Sequence, residues 1–230
     1  VETARRAVST GGASGVKVLA ISDKVVDLLY SPCLVDKFGD VDMVLSCGDL
    51  PYYYLEYIVS LLNVPLFFVH GNHDPVVEYW ASGAECTGPN GGTNLHGHLA
   101  CEQGLTVAGL EGSIRYKPSG DHQYTDFEMW LKVLEVSPAL LTNQLKTGRR
   151  LDILLTHAPP FGIHNGSGGD LTHVGFKSFL WLMHWFKPRY LLHGHRHVYN
   201  PLEVTETQYE QTTVINVYPY KVFEIDIENK

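Results

Sequence analysis

The chain has 230 residues, of which 44% are hydrophobic and 18% charged, and its formal net charge is −8. That length fits a single domain with one sizeable core, and the acidic balance argues against a broad nucleic-acid footprint, which needs a basic face. No apolar stretch approaches the ~20 residues required to cross a bilayer.

The segment Val1 to Gly15 is polar and Gly/Ser-rich, with no signal-peptide core, and reads as a flexible tail ahead of one domain spanning 16–230. Its first residue is Val, which leaves the native start open. Apolar, β-branched runs that end in polar clusters then recur. Val16 to Ile21 leads into Ser22-Asp23, Met43 to Leu45 into Cys47-Gly48-Asp49, and Leu66 to Val69 into His70-Gly71-Asn72-His73-Asp74. Ile153 to Leu155 leads into Thr156-His157, and Tyr190 to Leu192 into His193-Gly194-His195-Arg196-His197. Each reads as a buried strand presenting polar groups at its C-terminal end.

Helices are expected at Tyr53 to Leu62, Phe127 to Val136, Pro138 to Lys146 and Phe176 to Phe186. This alternation implies a layered α/β fold with a mainly parallel sheet, whose strand ends line a crevice. The clusters would then share the open end of that sheet. Thr213 to Val217 and Lys221 to Ile227 read as a terminal hairpin. Ser82 to Gly97 and Gly162 to Gly175 read as long loops over the site.

The four cysteines, Cys33, Cys47, Cys86 and Cys101, form no C-x-x-C pair. They read as reduced thiols of a cytoplasmic protein, with a Cys86–Cys101 disulfide as the alternative.

Singly, each Asp is an ordinary turn residue and each His an ordinary hydrogen-bonded group. Their joint occurrence says more. Seven of the 12 histidines fall between His157 and His197, and carboxylates, an amide and imidazoles together are the donors that hold divalent metals. The order Asp23-Lys24-Val25, Gly48-Asp49, Gly71-Asn72-His73-Asp74, His157, Gly194-His195-Arg196-His197 resembles the calcineurin-like metallophosphoesterase superfamily. The resemblance spans about Val16 to Val198.

That resemblance implies a β-sandwich flanked by helices, in four α/β/β/α layers. It also implies two divalent transition metals (Mn, Fe, Zn, Co or Ni) bridged by Asp49. Asn72, His157 and His195 would complete one site, and Asp23 and His197 would belong to the other. His73 is the implied group for contacting phosphate or protonating a leaving group, with Asp74 holding its tautomer. The implied reaction is hydrolysis of a small phosphodiester or phosphomonoester by a metal-activated water.

One position departs from the pattern. Val25 stands where the family places a histidine, so the Asp23–His197 site is expected to be weak, to be empty, or to recruit another group. A metal-retaining scaffold or regulatory binder with little turnover is therefore the alternative to an enzyme, as in the retromer subunit of this fold. Candidate substrate contacts are Asn72, His73, His164, His173 and Arg196. Tyr52, Tyr53, Tyr54 and Tyr57 read as a helix with one face in the core, or else as a stacking platform. The sequence supports no membrane partner and leaves the oligomeric state open.

Overall fold

The structure, a computed structural model, describes residues 15–79, 82–148, 150–166 and 170–227. The tail expected at the N-terminus lies outside the described residues up to position 14, and Gly15 is already paired with Asp226.

In chain order the elements begin with β1 (Gly15–Ile21), α1 (Cys33–Phe38), β2 (Met43–Ser46), α2 (Tyr52–Leu62) and β3 (Leu66–Phe68). Next come β4 (Glu78–Tyr79), β5 (Glu85–Cys86), β6 (Gly92–Asn94), β7 (Leu99–Glu102) and β8 (Leu105–Leu110). β9 (Ser113–Ile114), β10 (Gln123–Tyr124), α3 (Asp126–Thr147), β11 (Ile153–Thr156) and α4 (Lys177–Phe186) follow. The chain closes with β12 (Tyr190–His193), β13 (Glu206–Tyr209), β14 (Thr212–Asn216) and β15 (Tyr220–Asp226).

Two large sheets form, with two small two-stranded ones (β9-β10 and β4-β5) beside them, rather than the one expected from strand–helix alternation. The first has the order β15-β1-β2-β3-β6 and the second β13-β14-β12-β11-β8-β7. Their inner pairs are parallel, and antiparallel strands close one edge of the first and both edges of the second. Strands β2, β8 and β11 are buried along their whole length, which is why they read as continuous apolar runs without alternation.

Three apolar clusters define the layers. Val18, Ala20, Leu45 and Phe67 of the first sheet meet Val107, Leu155, Leu192 and Ile215 of the second. Leu19, Ile21 and Val44 face outward onto Leu34 of α1 and Tyr54, Leu55 and Ile58 of α2. Ala108, Leu154, Leu191 and Val214 face Met129, Val133 and Leu140 of α3 and Phe179, Leu182 and Met183 of α4. The result is the four-layer α/β/β/α sandwich.

Helix α3 runs unbroken through Pro138, where two helices were expected. Proline removes the bond to the Leu134 carbonyl, at a cost of about 3 kcal/mol in a helix interior. Burial of Met129, Val133, Val136 and Leu140 on both sides of the proline offsets it. Thr125 and Glu128 form a reciprocal capping box at its start, and Gly148 ends it at φ 64°.

The expected terminal hairpin does not form. β14 lies in the second sheet beside β12 and β13, whereas β15 crosses over and pairs with β1 over seven residues. Part of the expected Ser82–Gly97 loop is strand, since β6 extends the first sheet beside β3. In α2, Tyr52 and Tyr54 are buried and Tyr53 is exposed, so the tyrosines build a helix with a core face. All four cysteines are free thiols. No helix among the described residues is long and apolar enough to cross a membrane.

Candidate metal centre

The polar clusters meet at the C-terminal ends of strands from both sheets. Asp23 follows β1, Asp49 follows β2 and Asn72 follows β3; His157 follows β11 and His195 follows β12. The site therefore straddles the two sheets instead of lying at the end of one. Asp23, Asp49 and His195 all have left-handed backbones, with φ of 62°, 56° and 63°. Non-glycine residues adopt this conformation at a cost of about 1 kcal/mol or more. Here it turns the chain sharply at the strand tip and sends each side chain toward the same point.

His157 is fully buried and sets the geometry. Its Nδ1 lies 2.7 Å from the Cys47 carbonyl oxygen, which can only accept, so Nδ1 carries a proton. In the neutral ring Nε2 is then a bare lone pair, 3.0 Å from Asn72 Oδ1, 3.1 Å from His195 Nδ1 and 3.4 Å from Asp49 Oδ2. His195 is fixed the same way, because its Nε2 donates to the Thr172 carbonyl across 2.8 Å and leaves Nδ1 bare. Asn72 donates its Nδ2 hydrogen to the Tyr116 hydroxyl at 3.0 Å, which aims its carbonyl oxygen inward.

Four acceptors thus converge with no donor between them. One imidazole or carboxylate atom each from Asp49, His157 and His195 lies within 4.8 Å of the other two. This arrangement fits a divalent cation.

The electrostatics agree. Burial disfavours a charged His157, but the Asp49 and Asp23 carboxylates outweigh that and raise its pKa. In its buried position beside His157, His195 has a pKa lowered to about 3, so it is neutral and ready to bind at pH 7.

The Asp23–His197 side is thinner. Asp23 Oδ2 accepts from Ser22 Oγ at 2.5 Å and from the His195 amide at 2.9 Å. Its Oδ1 is buried with no hydrogen-bond partner among the described residues, and His197 Nε2 stands 3.5 Å away. That orphaned oxygen fits a second ion held by Asp23, His197 and the shared Asp49. Val25 adds nothing to it, since its side chain packs on the Leu29–Tyr54 apolar cluster, and Lys24 is exposed. Gly194 is obligatory here, because a Cβ would collide with Ser22 Oγ and Asp23 Oδ2.

Beside these groups lies a pocket of about 150 Å³ lined by Asp49, His73, Tyr116, Thr172, His173, His195 and His197. At roughly 30 Å³ per water it has room for about five waters, or a phosphoryl group. Of the expected substrate contacts, His73 and His173 line it.

His164 and Arg196 do not reach the pocket. His164 lies between His193 Nε2 at 2.8 Å and Thr207 Oγ1 at 3.0 Å. Arg196 binds the Asn165 carbonyl and pairs with Glu203. Asp74 does not hold the His73 ring either. Its Oδ2 accepts from the amides of Gly71 at 2.8 Å and Asp49 at 2.9 Å, so it braces the two metal-bearing turns. Burial and the nearby Asp49 carboxylate raise its pKa. The His73 amide in turn donates to Asp49 Oδ1 at 2.8 Å, which orients that carboxylate.

Sequence reasoning missed Tyr116, the Thr172 carbonyl and the Cys47 carbonyl. Tyr116 sits in a segment without strand or helix pattern, and main-chain acceptors leave no trace in residue type.

Among solved structures, TT1561 of Thermus thermophilus is 16% identical, with a TM-score of 0.59 over 94% of this chain and 100% of that one. A putative 5'-nucleotidase from Staphylococcus aureus is 12% identical, with a TM-score of 0.46 over 94% of this chain and 55% of the other. Vacuolar Protein Sorting 29 from Cryptosporidium parvum is 13% identical, covering 89% of this chain and 74% of the other with a TM-score of only 0.38. No curated protein matches the sequence. The pattern of calcineurin-like phosphoesterases matches residues 17–199, a span that includes every candidate ligand of the centre. By that match the chain belongs to the calcineurin-like phosphoesterase family.

Proposed function

We propose that the protein is a metal-dependent hydrolase of small phosphate esters, with the Asp49–Asn72–His157–His195 centre as its principal metal site. The observation that carries this reading is the convergence of four acceptor atoms beside a phosphoryl-sized pocket, with both imidazoles locked in metal-binding tautomers. When bound, divalent ions supply charge neutralisation and an activated water.

The chain's own residues do the rest. Asn72 contributes a ligand without adding negative charge, and Tyr116 fixes its orientation. Asp74 ties the Asp49 turn to the Gly71 turn, so that ligands from two strands keep their spacing. His73 is exposed on the pocket wall and is placed to hand a proton to a departing alkoxide. His173, bonded through Nδ1 to Asp170 Oδ2 at 2.6 Å, presents an oriented imidazole to a phosphoryl oxygen.

The test is hydrolysis of bis-p-nitrophenyl phosphate and p-nitrophenyl phosphate after addition of Mn²⁺ or Ni²⁺. Turnover that disappears in Asp49→Asn and His73→Ala supports the enzyme.

A second reading, a metal-retaining binder with little turnover, is favoured by one observation. Val25 is committed to apolar packing, which leaves Asp23 and His197 without a third donor of their own. Absence of turnover with any added metal would support it. A joint rise of metal content and rate in Val25→His would instead identify the missing donor as the limit on an enzyme.

A further inference from the structure

A second group of metal-binding side chains lies outside the centre described above. His70, Glu111 and His122 each place one donor atom within 4.8 Å of the others. The His70 and His122 rings are stacked, with centroids 4.5 Å apart and planes at 20°. Their Nδ1 atoms face the two oxygens of one carboxylate, His70 at 3.0 Å from Glu111 Oε2 and His122 at 3.1 Å from Glu111 Oε1. His96 stands behind them, with Nε2 3.8 Å from Glu111 Oε1.

The partners of each ring show which donor atoms could face an ion. His70 Nε2 lies 3.2 Å from the Thr87 carbonyl, which can only accept, and 3.1 Å from the Tyr52 hydroxyl, which can donate or accept, so a tautomer with the proton on Nε2 is accommodated. In that tautomer Nδ1 is a lone pair, and the Asn94 amide can donate toward it at 3.4 Å. With the proton on Nε2, the Nδ1 lone pair stands 3.0 Å from a carboxylate oxygen, the tautomer in which a metal ion fits between the two; with it on Nδ1, the ring donates to that oxygen directly. An independent observation points to a ligand, for His122 Nε2 is buried without a hydrogen-bond partner among the described residues while Nδ1 faces Glu111, and the His122 side chain is only 10% exposed.

Neighbouring groups hold the donors in place as outer partners do in metal sites. The Tyr124 hydroxyl donates to Glu111 Oε1 at 2.6 Å, and Tyr52 OH lies 3.1 Å from His70 Nε2. The Glu111 amide donates to His96 Nδ1 at 3.1 Å.

We propose that His70, Glu111 and His122 bind one divalent transition ion of the zinc class, separate from the Asp49–His157–His195 centre. Two imidazoles and a carboxylate are the donors such an ion prefers, and three protein ligands leave a coordination position open. That position opens on a cleft of about 740 Å³, whose walls include Glu85, Thr87, Asn94 and His98. None of the residues lining the phosphoryl-sized pocket lines this cleft. The metal content of the chain therefore exceeds what the principal centre holds.

The experiment loads the full chain with Zn²⁺ or Co²⁺, removes free ion by desalting, and counts equivalents by elemental analysis, with Co²⁺ visible absorption as a second readout. Glu111→Gln and His122→Ala are each expected to lose one equivalent relative to the parent protein. Both should keep metal-dependent hydrolysis and a cooperative melt. The double variant Asp49→Asn/His157→Ala is expected to retain one equivalent with a Co²⁺ spectrum of its own. Equal equivalents in the parent protein and Glu111→Gln would overturn the proposal. So would a folded double variant that takes up no ion; the cluster would then be a proton-held hydrogen-bond network. Should Glu111→Gln fail to fold, His122→Ala and the double variant decide the matter.

Discussion

His157 donates from Nδ1 to the main-chain carbonyl of Cys47 across 2.7 Å, and this bond, with that of the His195 amide to Asp23, joins the second sheet to the first at the candidate metal centre. It fixes the tautomer that points Nε2 at Asn72, Asp49 and His195. Because the acceptor is backbone, a change of side chain at position 47 leaves the bond in place.

Tyr116 performs the corresponding task for Asn72. Removing its hydroxyl in Tyr116→Phe frees the Asn72 amide to rotate and to offer its NH₂ group where the oxygen should be. Loss of such an outer partner lowers metal affinity about 10–100-fold. Metal titration of Tyr116→Phe should show at least a tenfold loss with an unchanged melting temperature. Unaltered affinity would mean that Asn72 is oriented by something else.

Gly194 has no room for a methyl group. Gly194→Ala forces Ser22 and Asp23 apart from the β12 turn, and overpacking of this kind costs about 1–3 kcal/mol. Urea unfolding of the metal-free protein should show a loss in that range. Metal affinity should fall with it, since Asp23 and the His195 amide are bonded across the same contact.

Pro138 is tolerated within α3 without being needed there. Pro138→Ala restores a donor facing the Leu134 carbonyl and is expected to stabilise the fold by about 1–3 kcal/mol, partly offset by a more flexible unfolded chain. Equilibrium denaturation measures it. A loss of stability instead would show that the proline sets the curvature by which α3 fits its sheet.

His164 predicts an acid-sensitive fold. Its pKa is lowered to about 4, first by burial and then by Lys221 and Arg196. The unfolded chain takes up this proton near pH 6.5 and the folded chain only near 4, so the unfolded state binds more protons between those values. The contribution is fully present above about pH 6.5 and is lost as pH falls toward 4. His164→Gln should flatten the decline of melting temperature over that interval; an identical slope would place the sensitivity elsewhere.

Much of the principal centre was readable from the chain because its ligands sit directly after short apolar runs, and buried strands announce themselves by composition. Asp23, Asp49, Asn72, His157 and His195 are all strand-end residues. Which sheet a strand joins is not written in its periodicity, however, and β14 and β15 illustrate the failure. The short Tyr218-Pro219-Tyr220 link suggested a hairpin, yet the chain steps from one sheet to the other there. Asp74 and His73 are adjacent in sequence, but a tight turn sends the carboxylate to backbone amides and the imidazole to the pocket. His164 was assigned to substrate from its place after His157, and its left-handed backbone, at φ 55°, accompanies a ring turned inward to His193. His70, Glu111 and His122 come from three separate segments with no motif spacing, and only the fold brings them together.

The pairing of β15 with β1 has a consequence for assembly. The strand that carries Asp23 is the first of the described elements, and its outer edge is covered by β15, the last of them. The Ser22 amide, next to Asp23, is likewise held by the Pro219 carbonyl at 3.1 Å. Until β15 is in place, the edge beside Asp23 has no partner strand, so this corner of the candidate centre depends on the two ends of the described domain meeting.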